Sequence, residues 1–505
     1  MDTKISEIIS ILPEDLQPLL LQHKEFGVLL GQVIANYEKV IVNLQERNAF
    51  LESEIKRLKD QLQLDSHNSS KPPSTDLGRK KKIPSLRKVS GLSPGGQKGH
   101  NGTTLKQVSN PDHKNEIKVD VCEHCGKELS FVPPKTIEKR QVFDIPDIKI
   151  EITEHQVEIK ECPFCGHKNK GKFPEGVDQP VQYGENIRRL AVYFNQRQFI
   201  PYNRTTEIIE DLCGQSIGEG TLWNTNKEIY NNLEPTNKGI QQAIINSEVI
   251  SSDETGEYVN GDRHWLHSAS TEKYTYYYPH KIRGNKGMDA AGILPNFHGT
   301  CVHDHWKPYF KYTHFTHALC NVHHLRELIR AYEEDGCKWA KEMMDLLLEI
   351  KATVDGDKEK SKEYLDPYLK EQYHQKYRQI LTNALVLYPP EPKNKGHPKR
   401  GRKRQSKSKN LLDRLIDFED ATLLFMEDFR VPFDNNLAER DIRMVKVQQK
   451  ISGCFRSNEG ANIFCRINGF ISTVKKQGKN VMDYLSLALR PSNATKNILL
   501  IEEGG

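Results

Sequence analysis

Long apolar runs are missing from this chain: no stretch of its 505 residues approaches the ~18 consecutive apolar positions of a membrane-spanning helix. Its 36% hydrophobic and 28% charged residues instead suit a soluble globular protein with room for several separately packed domains. The opening residues, MDTKISEIIS, lack the basic region and apolar core of a secretory signal, so a cytoplasmic location without membrane contact is expected. Ten cysteines in such a compartment are held as thiols, which argues against a disulfide framework. Residues 393–409, KNKGHPKRGRKRQSKSK, lack any acidic residue.

What is present begins with that charge asymmetry. The net charge is only +5, yet GRKKKIPSLRK at 78–88 and the 393–409 run concentrate the cations. Such runs are often solvated tails, and they are also the footprint of proteins that neutralise phosphates and release counterions. Lys399, Arg400, Arg402, Lys403 and Arg404 are therefore expected to contact DNA.

Between 37 and 62, Tyr37, Ile41, Leu44, Asn48, Leu51, Ile55, Leu58 and Leu62 alternate steps of four and three. One helix cannot bury such a seam alone, so a coiled-coil homodimer or higher oligomer is expected, with Asn48 fixing register. An amphipathic helix packed on its own domain is the alternative. Residues 65–115, rich in Ser, Pro, Gly and Lys, have no periodicity and read as a flexible basic linker.

CEHC at 122–125 and CPFC at 162–165 are two CxxC knuckles. Together Cys122, Cys125, Cys162 and Cys165 can supply the four sulfurs of one closed tetrahedral zinc site, with the β-rich interval QVFDIPDIKIEITEHQVEIK bringing them together. Two unrelated cysteine pairs would also fit the spacing. Three helices follow over 186–233, and the second and third, joined by CGQSI, have helix-turn-helix proportions, with Gly214 at the break and Ser216 to Thr221 opening the recognition helix. Any αα-hairpin would look similar.

NSEVISSDETGEYV (246–259) reads as a strand bearing Asp253, HWLHSAS and KYTYYYPHK as two more antiparallel strands, and GTCVHDHW as a short strand ending at Asp304. Carboxylates at the ends of neighbouring strands repel, and divalent cations turn that repulsion into a binding site. Two-metal phosphoryl transfer needs ions about 3.5–4 Å apart and a further carboxylate. VPFDNNLAERDIRMVK (431–446) offers Glu439 early on a helix capped by Asp434 and Asn435, with Arg443 and Lys446 on the same face, suited to an approaching nucleic-acid backbone. Other acids nearby, Glu254, Asp434 and Asp441, read as capping or solvated groups. His303, His305, His314, His317, His323 and His324 cluster in one stretch, which suggests a histidine-ligated metallohydrolase, but the HExxH signature is lacking.

SDETG, VHDHW, CNVHH, VPFDNNLAERDIRMVKVQQKISGCFRS and VKKQGKN, together with HNSSKPPSTD, GGQKGHNGTTL, the CxxC knuckles and IPYNRTTEIIEDLCGQSIGEGTL, resemble the DDE transposases of the insertion sequence 66 family over about residues 60–480. The resemblance implies a ribonuclease-H-like core whose acidic triad is Asp253, Asp304 and Glu439, binding two Mg²⁺ ions. It also implies a CxxH element at Cys320 and His323, which buried structural residues would fit equally, and a Glu-to-Lys spacing at Lys446. DNA partners would be the element's terminal inverted repeats and target DNA, nucleoid-associated in the cytoplasm, with accessory proteins of the element as further partners.

The expected fold class is therefore α/β and multidomain: a ribonuclease-H-like catalytic core with a helical insertion, preceded by a coiled coil, a zinc-binding β-rich module and a helix-turn-helix region. The segments are 1–64 (N-terminal helices and coiled coil), 65–115 (linker), 116–172 (zinc module), 173–240 (helix-turn-helix), 241–324 (first part of the core), 325–425 (helical insertion with the basic loop), 426–480 (second part of the core) and 481–505 (tail). A catalytically inactive DNA-binding regulator derived from a transposase is the alternative; it would need no acidic triad.

Overall fold

The computed structural model describes residue 18 and residues 24–62, 105–388 and 405–490. Most of the expected linker, the loop cations Lys399, Arg400, Arg402, Lys403 and Arg404, nearly all of the first 23 residues and the tail beyond 490 lie outside the described residues. No helix among the described residues is long and apolar enough to cross a membrane.

The chain order is α1 (Lys24–Leu62), β1 (Ile159–Glu161), β2 (Lys168–Lys170), α2 (Glu185–Val192), α3 (Tyr202–Cys213), α4 (Glu219–Asn232) and α5 (Glu234–Ile245). Next come β3 (Val249–Val259), β4 (Asp262–Ser270), β5 (Thr275–His280), α6 (Asn285–Ala291), β6 (Thr300–His303) and β7 (Thr316–Leu319). The helices α7 (Asn321–Glu333), α8 (Lys338–Glu359), α9 (Pro367–Leu385), α10 (Lys407–Asp417), α11 (Glu419–Glu427), α12 (Asn436–Ser452), α13 (Asn458–Lys476) and α14 (Val481–Ala488) complete it. The chain divides into two units: Met1–Pro84 with His323–Leu346 and Tyr377–Arg414, and Ser85–Val322 with Leu347–Lys376 and Leu415–Gly505.

In the first unit, α1 is one helix of 39 residues, roughly 58 Å long at 1.5 Å per residue. Its seam residues Tyr37, Ile41, Leu44, Leu51, Ile55 and Leu58 are all exposed. The insertion residues of this unit are helical and tied by ion pairs, Arg414 to Glu327 and Arg330 to Asp335 at 3.3 Å.

The second unit is built on a five-stranded sheet of order β5-β4-β3-β6-β7. β3, β4 and β5 pair antiparallel, whereas β6 runs parallel to β3 and β7 parallel to β6. Asn260 and Gly261, both at positive φ, form the two-residue turn that joins β3 to β4. Helices α2, α4, α5, α13 and α14 bury Val192, Ile229, Ile240, Phe470 and Leu485 in one core with Tyr276 of β5. Gly469 lets α13 lie close on the sheet, since a Cβ there would stand 3.1 Å from the Thr275 carbonyl oxygen.

The helix pair α3–α4 breaks at Gly214, which takes the left-handed C-cap conformation at φ 69°. α4 starts at Glu219 and buries Leu222, Thr225, Asn226 and Ile229, leaving Glu219, Asn224 and Lys227 exposed. The interval between the CxxC knuckles departs from expectation. Only Ile159 and Lys160 of QVFDIPDIKIEITEHQVEIK enter a strand, the β1–β2 hairpin being the one regular element there among the described residues. Ile148, Ile150 and Ile152 alternate as strand residues should, yet Ile148 and Ile152 are exposed like Val142 and Ile145, because among the described residues no neighbouring strand pairs with and covers them.

Within the second unit α9 is pinned to α11 by His374, whose two ring nitrogens lie 2.9 Å from Glu419 and Glu427. Burial disfavours the imidazolium, but the two carboxylates prevail and raise its pKa. Because the folded value lies above the unfolded ~6.5, the stabilisation is complete below that pH and lost as pH rises through the raised value. His374→Gln should therefore lower stability on the order of 1 kcal/mol near pH 5.5 and by much less near pH 9, measured by urea melts at both pH values.

Candidate active site

Asp253 lies within β3, the central strand, between β4 and β6. The parallel β3–β6 register pairs Ser251 with Val302, and continuing that offset by two residues brings Asp253 level with Asp304, the first residue after β6. Side chains alternate across a strand, so Asp253 and Glu254 point to opposite faces. The Glu254 N–H donates to Asp253 Oδ1 at 2.8 Å, and Asp304 Oδ1 accepts from the Trp306 N–H at 2.9 Å.

Glu439 is delivered by the start of α12. Asn435, fully buried, donates its backbone N–H to Cys320 Sγ at 3.2 Å and its amide Nδ2 to the Ser252 carbonyl at 2.9 Å. Asn321 donates its backbone N–H to the Phe433 carbonyl at 3.0 Å. The Asn-Asn segment is thus stitched to the residue before Asp253 and to the end of β7. Asp434 accepts from the Asn436 N–H at 3.0 Å, so the cap is made by Asp434 at the first helical residue, and Asn435 contributes no side-chain cap.

The Asp253 carboxyl is pushed well above the usual carboxylate range by burial, then by Glu254 and Asp304, with Glu439 adding to it. The three share one field without all closing to within 4.8 Å of one another, although Glu439 comes that near to Cys320 Sγ. That oxygen-rich, mutually repelling set suits hard divalent cations, whose charge would relieve the repulsion.

Two neighbouring acids are corrected. Glu254 is buried, not solvated: it pairs with Arg283 at 2.5 Å and accepts from the Tyr309 hydroxyl at 2.9 Å. The Arg283 guanidinium lies 3.9 Å from the centre of the Trp306 ring and 4.5 Å from that of Trp265. The adjacency of two acids in SDETG was the signal, since one of them had to face inward. Asp441 is also buried, accepting from Ser270 Oγ and Lys476 Nζ, each at 2.7 Å.

On α12, Arg443 is exposed and follows Glu439 by one turn. Lys446 is exposed too, but its ammonium donates to the Gly256 carbonyl of β3, and burial lowers its pKa. Cys320 is buried and serves as the acceptor for Asn435, while His323 is half-buried on α7 and belongs to the first unit. The histidines of the second unit are used in packing. His303 stacks on Tyr309 at 4.4 Å and contacts His317 at 2.9 Å, His317 contacts the Tyr312 carbonyl at 2.8 Å, and His314 contacts that of Leu294 at 2.9 Å.

The two knuckles are built alike. Gly126 and Gly166, at φ 64° and 69°, close turns in which each glycine N–H donates to the carbonyl of Cys122 or Cys162. Hydrogen bonds from the backbone and from the second thiol lower the pKa of Cys122 and of Cys162, which favours the thiolate that ligates metal. Each turn therefore fits half of a zinc site, although the four sulfurs are not gathered into one cluster within 4.8 Å.

The model described as Transposase IS66 family matches residues 180–463, more than half of the sequence, and the chain belongs to that family. The zinc-finger binding domain of transposase IS66 matches residues 120–166, spanning all four knuckle cysteines and supporting structural zinc there. Residues 19–106 match a family of unknown function (DUF6444). No curated protein matches the sequence.

Two outcomes follow. Asn435→Ala should cost about 1–3 kcal/mol in urea denaturation, because the Ser252 carbonyl loses its buried donor. Purified protein should carry about one zinc per chain by elemental analysis, lost in Cys162→Ser, as expected for a four-sulfur structural site.

Proposed function

We propose that the protein binds the terminal inverted repeats of an insertion sequence and performs magnesium-dependent cleavage and strand transfer with Asp253, Asp304 and Glu439. The observation that carries this reading is the convergence of the three carboxylates in one field at the centre of the sheet. The order β5-β4-β3-β6-β7, with β6 and β7 parallel to β3 and acids on β3 and just after β6, supports a ribonuclease-H-like core.

Asp253, Asp304 and Glu439 would hold the magnesium, which would supply activation of the attacking water or 3′-hydroxyl and stabilisation of the leaving oxygen. The chain's own residues do the rest. Asp253 is held within β3 and Asp304 directly after β6, and Asn435 sets the start of the helix that presents Glu439. Arg283 holds Glu254 by an ion pair, so this fourth acid is neutralised by a partner of its own. Arg443 and Lys446 place cations beside Glu439 where a phosphate backbone would run. The exposed seam of α1 supports a coiled-coil dimer that pairs two element ends.

The test uses labelled element-end duplexes with Mg²⁺ and full-length protein. Wild type should nick and join strands, and Glu439→Gln should bind with similar affinity while losing at least 10²-fold in rate, the scale of removing a group that stabilises only the transition state. Equal cleavage by both proteins rejects the assignment. Cleavage by neither, with binding intact, favours the inactive regulator.

A further inference from the structure

The side of α12 turned away from Glu439 borders a separate space. At 100° per residue, Leu437, Arg440, Asp441, Met444 and Val445 point round the helix from Glu439, Arg443 and Lys446, and they line an open cleft of about 1360 Å³. Its other walls are the residues leading into β3, the β4–β5 turn, the C-terminal half of α13, the 429–434 segment and Arg197.

Charge along these walls is unbalanced. Three of the lining acids are engaged: Glu248 pairs with Arg430 at 2.9 Å, Asp441 with Lys476 at 2.7 Å, and Asp434 accepts from the Asn436 N–H at 3.0 Å. Glu272 is the fourth. Arg197, Arg440 and Lys475 have no carboxylate partner among the described residues. Lys475 has its pKa lowered by burial and then by the Arg197 guanidinium, so two cations are held near each other. Grouped cations that the lining acids do not pair with favour a polyanion. The space exceeds the ~300–1,000 Å³ of small-molecule pockets, while one turn of duplex, ~34 Å long, would overfill it.

We infer that this cleft binds a single strand of DNA, held by Arg197, Arg440 and Lys475 on the flank of α12 next to the acid cluster. The inference rests on the transposase reading only for the identity of the nucleic acid. It adds a second binding surface to the one on the Glu439 face, on the other flank of the same helix.

The probe is a fluorescein-labelled oligo-dT 20-mer, followed by anisotropy with zinc-loaded full-length protein in magnesium-free buffer over a salt series. Arg197→Gln/Lys475→Gln should weaken binding at least tenfold and reduce the slope of log K against log salt by about 1.4, since each single-strand phosphate contact contributes ~0.7. Lys341→Gln/Lys376→Gln, which removes the same charge from α8 and α9, should change neither. Glu272→Gln should tighten binding. Should the cleft double variant not fold, acylation footprinting of the wild type decides, because the oligonucleotide should protect Lys475. Unchanged affinity and slope in the folded cleft variant, or no protection of Lys475, overturns the inference. Failure of the nicking assay with oligonucleotide binding intact would instead remove the catalytic reading and leave the cleft.

Discussion

Carboxylates crowded against one central strand repel each other, and the second unit is arranged around that repulsion. The Asp253 carboxyl is pushed well above the usual carboxylate range by burial, then by Glu254 and Asp304, with Glu439 adding to it. A fold without a use for these charges would separate them or pair each with a cation. Here one acid is paired, Glu254 with Arg283 wedged between Trp265 and Trp306. Asp253 feels the charge of both Asp304 and Glu439, and a divalent cation would relieve that repulsion.

Rigidity is supplied around the acids by neutral contacts. The parallel pairing of β6 on β3 sets the level of Asp304 against Asp253. Asn435 and Asn321 bind the approach to α12 to β3 and to the segments around it through buried hydrogen bonds. These amides hold Glu439 in place without adding charge, so the electrostatic character of the site stays with the three acids and the cations of α12. The same helix serves two surfaces, since its period of 3.6 residues separates the Glu439–Arg443–Lys446 face from the Arg440–Met444 flank of the cleft.

Much of the candidate site was legible in the sequence because its signals are local. Strand alternation marked the Asp253 segment, a short apolar run led to Asp304, and helical spacing put Arg443 and Lys446 with Glu439. What misled was equally local. Glu254 and Asp441 read as surface acids because their partners, Arg283 and Lys476, are 29 and 35 residues away. The 141–160 interval read as β-rich because its composition reports propensity alone, and a sheet also needs a neighbour. Asn435, taken for a cap, gives its side chain to a carbonyl 183 residues earlier in the chain.

By itself the sequence determined which groups can carry charge, ligate metal and repeat at helical or strand period: two CxxC turns, a heptad seam, three acids and the cations of 436–446. These follow from residue identity and short-range geometry, which fold packing cannot alter. Tertiary structure alone decided which acids share a field, which are neutralised by a cation, and that cations without a carboxylate partner among the described residues line a cleft along α12. Those outcomes depend on contacts between distant segments, where burial strengthens each charge and so makes the choice of neighbour decisive.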